Sequence, residues 1–152
     1  MKKYISILIL SLSVFANTFY AQTPTLNWVK QLGSTESEYG YSIAVHTNGD
    51  VYTAGFFSNT VDFNLGGTGG PQNLTADSTD IFICKHDSAG VFKWARRMGG
   101  PTSKDAATSI ALDANGNAYI TGVFKGTAKF ENAGVECFRA GSSFQCLGLS
   151  DV

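Results

Sequence analysis

Charge of either sign is scarce in this chain of 152 residues: Asp, Glu, Lys and Arg make up 15%, and the formal net charge is −1. Nothing in that balance marks the chain as a nucleic-acid binder, which would usually carry a basic patch or stripe. Beyond the first segment no long apolar pattern recurs at helical spacing, so the sequence offers helices no stripe to bury. A bilayer span is lacking too. The N-terminal apolar run, Ile5 to Phe15, holds about 11 residues where a transmembrane helix needs about 20. What is abundant is glycine, with 17 residues, and aromatic side chains, at 12%. Short strands joined by tight turns have this composition. The expected fold class is all-β.

The first residues read as an export signal. Lys2 and Lys3 supply the positive start, Ile5 to Phe15 the apolar core, and Ala21 (or, earlier, Ala16) a small residue before a cut. Residues 1–21 are therefore expected to be a cleaved signal peptide, leaving no transmembrane span. The competing reading, an uncleaved membrane anchor, is opposed by the shortness of the core. No cysteine lies near the cut, which argues against a lipid anchor. Loss of Lys2 and Lys3 takes the formal charge from −1 to −3. The mature protein is expected to be mildly acidic and secreted or held at the cell surface. Export makes disulfides chemically possible. Cys137 and Cys146 flank a Gly/Ser-containing stretch and are the candidate pair, with Cys84 left as the odd thiol.

Self-similarity organises the rest. Trp28-Val-Lys-Gln-Leu-Gly33 returns as Trp94-Ala-Arg-Arg-Met-Gly99, and the stretch Ser42 to Gly55 returns as Ser109 to Gly122. Phe57, Thr60 and Phe63 are matched by Phe124, Thr127 and Phe130. A fixed period of this kind points to stacked repeats. The repeat region is taken as 26–152, with copies at about 28–93 and 94–152. Within a unit, Ile43 and Val45 alternate with Ser42, Ala44 and His46, and Asn48-Gly49 then joins this run to a second one. Asn115-Gly116 repeats the device. Ile81 to His86 and Val91 to Arg97 form a further hairpin around Asp87-Ser-Ala-Gly90. About four strands per unit is the content of a propeller blade. Apolar or small residues on both faces fit a sheet held between neighbours. Lys93, Arg96 and Arg97 suit an outer edge.

The pattern Asp80-Ile-Phe-Ile-Cys-Lys85, Ser88-Ala-Gly90, Trp94, Gly99, Ser109 to Asp113, Gly116 to Tyr119 and Thr121-Gly122 resembles the SBBP repeat, the bacterial seven-bladed β-propeller repeat. The resemblance covers roughly Leu26 to the C-terminus. It implies a propeller of exported or cell-surface proteins, often long and multi-domain, with no shared catalytic residues. His46 departs from the pattern, since the second copy has Asp113, and so does His86, where an apolar residue is usual. Alignment of the copies sets Asp151-Val152 against Asp80-Ile81, so the chain is expected to be a truncated N-terminal fragment. On that reading it comprises one full four-stranded blade plus parts of two others. It then needs further blades of the same chain to complete the fold, and alone is expected to be loosely folded or aggregation-prone.

Individual candidate sites weigh little against this background. Asp113-Ala-Asn115-Gly-Asn117 begins like a calcium loop but lacks the later glycine and acidic ligand. Asp62 and Asn64, in the long polar connection Asn59 to Thr79, offer two oxygens where Ca²⁺ takes at least six. Cys84 and His86 share a strand face but have no orienting partner. Asn73-Leu-Thr75 matches a glycosylation pattern that is common by chance. No catalytic, cofactor or metal residue is assigned. The expected function is a non-catalytic exported scaffold or interaction module with a protein or glycan partner. The alternatives are a carbohydrate-active propeller enzyme whose site lies in missing sequence, and a cation-dependent structural stalk.

Overall fold

The computed structural model describes residues 24–101, 104–124, 129–130, 136–140 and 143–149, with side chains as far as Phe124. The expected signal, 1–21, and the last pair, Asp151-Val152, lie outside the described residues. Among the described residues the strands are, in order, β1 (Glu38–Val45), β2 (Val51–Asp62), β3 (Asn73–His86), β4 (Phe92–Gly99), β5 (Ala106–Leu112), β6 (Ala118–Val123), β7 (Lys129–Phe130), β8 (Glu136–Ala140) and β9 (Ser143–Leu149). They form two antiparallel sheets, ordered β1-β2-β3-β4-β7 and β5-β6-β9-β8. The first four strands run up and down as neighbours, which makes a four-stranded blade.

The first sheet carries apolar side chains on both faces. On the first, Tyr52, Ala54, Ile81, Ile83 and Met98 turn one way and pack against Ala107, Ile110, Ala118, Ile120 and Phe124 of the second sheet. Phe57, Val61, Phe63, Phe82 and Cys84 turn the other way into a separate core. Neighbouring positions along β2 alternate between the two cores, the period-2 signature of a strand. Gly55 sits where β1 bulges between Gly40 and Ser42. A Cβ there would run into the Tyr39 carbonyl oxygen.

The turns refine the expected hairpins, since at Asn48-Gly49 only Gly49 stands at positive φ, at 89°. The His46 amide donates to the Asp50 carbonyl and the Gly49 amide to the His46 carbonyl, both at 2.9 Å. This is a three-residue loop closed by a glycine bulge. Asp87 to Val91 and Asp113 to Asn117 repeat the same pair of bonds, with Gly90 and Gly116 at 78° and 85°. The reason is local. A leading carboxylate, Asp87 or Asp113, accepts from the amides two and four residues on, which favours the longer loop.

Two other expectations change. The connection Asn59 to Thr79 is mostly strand. β2 and β3 extend to Asp62 and from Asn73, and the loop shrinks to residues 63–72. Asn59, at φ 57°, sits in the bulge between Ser58 and Thr60 that carries the pairing across. Trp28 to Leu32 forms no strand. Gly33 makes one isolated bridge to Asp62, while Trp28 lies over Gly90 and donates its indole N–H to the Ser88 carbonyl at 3.1 Å.

Gly55→Ala is expected to cost about 3 kcal/mol in chemical denaturation, because backbone has to move. Gly66→Ala, at φ 70° with open space around it, is expected to cost only about 1 kcal/mol. Equal losses would contradict the close approach of β1.

Candidate interaction surface

The chemistry-bearing residues of this chain are consumed by its own turns and cores. Asp113 Oδ1 accepts from the Asn115 and Asn117 amides, and Oδ2 accepts from the Asn117 side chain at 2.7 Å and the Tyr119 hydroxyl at 3.2 Å. These donors hold its carboxyl below the usual value, led by the Asn117 side chain. Asp87 is held low in the same way, first by Lys93 at 2.9 Å. Asp62 Oδ1 accepts from the Asn64 and Gln72 amides, while the Asn64 side chain donates to the Thr68 and Gly70 carbonyls. Both residues organise the 63–72 loop.

Cys84 is fully buried and its thiol is pushed up to about 12 by desolvation, with Thr53 as its hydrogen-bond partner. His86, also buried, is pushed down by desolvation and sits 6.0 Å from the Trp28 ring and 5.9 Å from Phe92. A thiol this reluctant to ionise is a core side chain rather than a nucleophile. The backbone register of β8 and β9 sets Cys137 directly opposite Cys146.

Sequence reasoning missed two buried ion pairs. Lys85 meets Asp50 at 3.0 Å, under the Tyr52 ring. Arg97, expected on an exposed outer edge, turns inward to Asp80 at 3.0 Å, Asp77 at 3.3 Å and the Thr75 carbonyl at 2.6 Å. Asp80 is wholly buried, and its Oδ1 has no hydrogen-bond partner. Desolvation raises its carboxyl, against the Asp77 amide and Arg97, which lower it. Gly99 is required beside it, since a Cβ there would strike this carboxylate. The signal for the pair was the Asp-Ile-Phe-Ile run, whose apolar neighbours left no water for the acid.

The seam between the two sheets is where the copies meet. Tyr52 donates from its buried hydroxyl to the Gly116 carbonyl at 3.2 Å. Ser42 Oγ accepts from the Ile110 amide at 3.2 Å, and the Asp105 amide donates to the Thr79 carbonyl at 2.8 Å. His46 Nε2 lies 3.2 Å from the Ala114 carbonyl, and Nδ1 lies 3.0 Å from Asn48 Oδ1. Both partners are acceptors, because Asn48 Oδ1 also takes the Asp50 amide. A groove of about 460 Å³ opens at one end of the seam, lined by Tyr39, Phe56, Ser58, Thr79, Lys104 and Val123. Tyr39 and Tyr41 stack against each other and on Phe56, and stand more than half exposed.

Packed antiparallel sheets, a repeated turn and a seam formed by equivalent strands decide the architecture. The chain is a partial β-propeller. Residues 93–123, from β4 through β6, match the β-propeller repeat family SBBP. The chain is 34% identical over 106 residues to the regulatory protein FlaEY of Caulobacter vibrioides, covering 68% of this chain and 11% of that protein. It is 31% identical over 127 residues to an uncharacterized WD repeat-containing protein of Acanthamoeba polyphaga mimivirus, covering 76% and 9%. The chain thus spans about a tenth of the length of the curated relatives it matches. Among the described residues no helix is long and apolar enough to cross a membrane, and no group of three or more His, Cys, Asp or Glu is placed to hold a metal ion.

The turn carboxylates give the blade a defined acid response. A depressed Asp contributes stability that is complete above its ordinary value near 3.8 and is lost as pH falls through the native value. The unfolding midpoint is therefore expected to drop below about pH 4. Asp113→Asn, which keeps a carbonyl acceptor, is expected to flatten that acid limb. An unchanged limb in urea titrations at pH 2 to 5 would assign the response elsewhere.

Proposed function

We propose that this chain is a non-catalytic, exported repeat scaffold, the N-terminal part of a larger surface or secreted propeller protein, which offers its seams and loops to a protein or glycan partner. One observation carries the reading. Among the described residues, the polar side chains shared by the two copies serve turns and the seam, and no nucleophile is paired with a base. The basic start and short apolar core of residues 1–21 support export. The repeat likeness and the relatives support a repeat interaction scaffold. The enzyme reading draws no support from His46, which is engaged in the seam. The cation-dependent stalk draws none from Asp62 or Asp113, whose carboxylates already hold donors.

Expression of the complete chain in a bacterial host is expected to give exported protein starting at Gln22. Millimolar Ca²⁺ is expected to leave its melting temperature unchanged, and a panel of nitrophenyl glycosides to be returned intact. A rise of several degrees with Ca²⁺ would favour the stalk, and turnover that survives purification would favour the enzyme.

Export also bears on the cysteines. Directly opposed positions on antiparallel strands lie about 4.5–5.5 Å apart at Cα, inside the range of a disulfide. In an oxidising compartment the Cys137 and Cys146 thiols are expected to lose two protons and two electrons to a protein disulfide, which is reduced in exchange. The exported chain should then weigh about 2 Da less than its reduced form. Cys84, being buried, should resist alkylation until denaturant is added. Two free thiols at 137 and 146 in exported protein would remove the bridge.

A further inference from the structure

One end of the seam departs from the repeat. The groove of about 460 Å³ found there takes a wall from each sheet of this chain, so neither wall waits on a further blade. On the first wall Tyr39 of β1 stands opposite Phe56 of β2, before the bulge between Gly40 and Ser42. On the second, Ala106 of β5 stands opposite Val123 of β6, before the matching bulge between Ala107 and Ser109. The positions are equivalent and the side chains are not. Tyr39, Tyr41 and Phe56 stand where the second copy has Ala106, Thr108 and Val123. The blade therefore folds without these three rings. Their centroids lie 5.1 to 6.3 Å apart, and Tyr39 and Tyr41 are 54% and 55% exposed. A cluster of exposed rings marks a binding surface where single exposed apolar residues do not.

The polar lining selects the partner. The Ser58 and Thr79 hydroxyls lie 3.4 Å apart, and each can donate or accept. Of the charged residues in the lining, Asp105 is wholly buried, its carboxylate accepting from the Gly100 amide at 3.0 Å. Lys104 is exposed. Glu38, next to Tyr39, lies on the other face of the strand and takes the Ser34 hydroxyl. The charge that the groove shows to solvent is positive. We propose that it binds an acidic glycan, with a sugar ring laid on Tyr39 and Tyr41 and its carboxylate against Lys104. The flat of a pyranose presents C–H groups, which pack on the electron-rich face of an aromatic ring. Its hydroxyls stand around the rim, where those of Ser58 and Thr79 meet them. The size agrees, since small-ligand sites run from about 300 to 1,000 Å³, while a protein partner needs about 800 Å² of surface on each side. This rests on the scaffold reading and names the glycan as its partner.

Titration calorimetry of the complete chain tests it, with tetramers of galacturonic and of mannuronic acid, their methyl esters, and polyglutamate. At least one free acid is expected to bind, and its uncharged ester about threefold more weakly, the worth of an exposed ion pair. Lys104→Gln is expected to remove that difference, and Tyr39→Ala to weaken acid and ester alike by about tenfold. Circular dichroism checks that each variant folds, and Tyr41→Ala carries the aromatic test if Tyr39→Ala does not. Failure of both free acids to bind overturns the proposal. So does polyglutamate binding as tightly, which would mean an acidic peptide, or full affinity in both tyrosine variants. The scaffold reading fails differently. A tetramer that binds and is cleaved keeps the groove and removes the scaffold, whereas no sugar binding removes the groove and leaves the scaffold its protein partner.

Discussion

A β-sheet with two apolar faces has to be covered twice, and most of this molecule follows from that requirement. β2 shows it residue by residue, with Tyr52 and Ala54 in one core and Phe57 and Val61 in the other. An amphipathic sheet would rest on a single layer and present polar side chains outward. Here two charged pairs are folded away as well, Lys85 onto Asp50 beside the Tyr52 ring and Arg97 onto Asp80 beside Gly99. Buried pairs of this kind add little net stability but penalise any packing that separates them. They fix which strand lies beside which.

The turns show how one substitution in a repeat changes its task. Asp87 and Asp113 spend their carboxylates on the amides of their own loops. His46 stands in the same position of the first turn, and there Asn48 takes over the capping of the Asp50 amide. The imidazole is thereby released to reach across the seam to Ala114. A departure that looked sporadic in the sequence is a contact between sheets.

Repetition and turn residues made the architecture legible before any coordinates. Asn-Gly, Ser-Ala-Gly and the alternation through Ile43 and Val45 locate four strands and the order in which they pair. The outer ends of β2 and β3 were not legible, because their alternation is short: Val61, Leu74 and Ala76 turn to the core while Thr60 and Thr75 pair through their hydroxyls on the exposed side. A few residues beside a glycine-rich loop give little hydrophobic period to read. Arg97 was misread for a related reason. Its neighbour Lys93 does face outward, Arg96 lies over the Trp94 ring, and nothing local says that the third cation turns in to meet an acid 17 residues away. Trp28 has the residues of its strand-forming counterpart Trp94 but, among the described residues, has only the β3–β4 hairpin to lie on. The seam itself was visible as paired motifs, while the unequal exposure of Ile43 and Ile110 emerged only from comparing matched positions.

The seam is held by contacts that the matched positions of the second copy spend differently. Tyr52 donates to the Gly116 carbonyl and His46 lies against the Ala114 carbonyl. At the matched positions, Tyr119 donates to Asp113, and Asp113 stands where the histidine would be. Two hydrogen bonds at about 1 kcal/mol each amount to roughly a thirtyfold preference for the packing in which His46 and Tyr52 cross between the sheets.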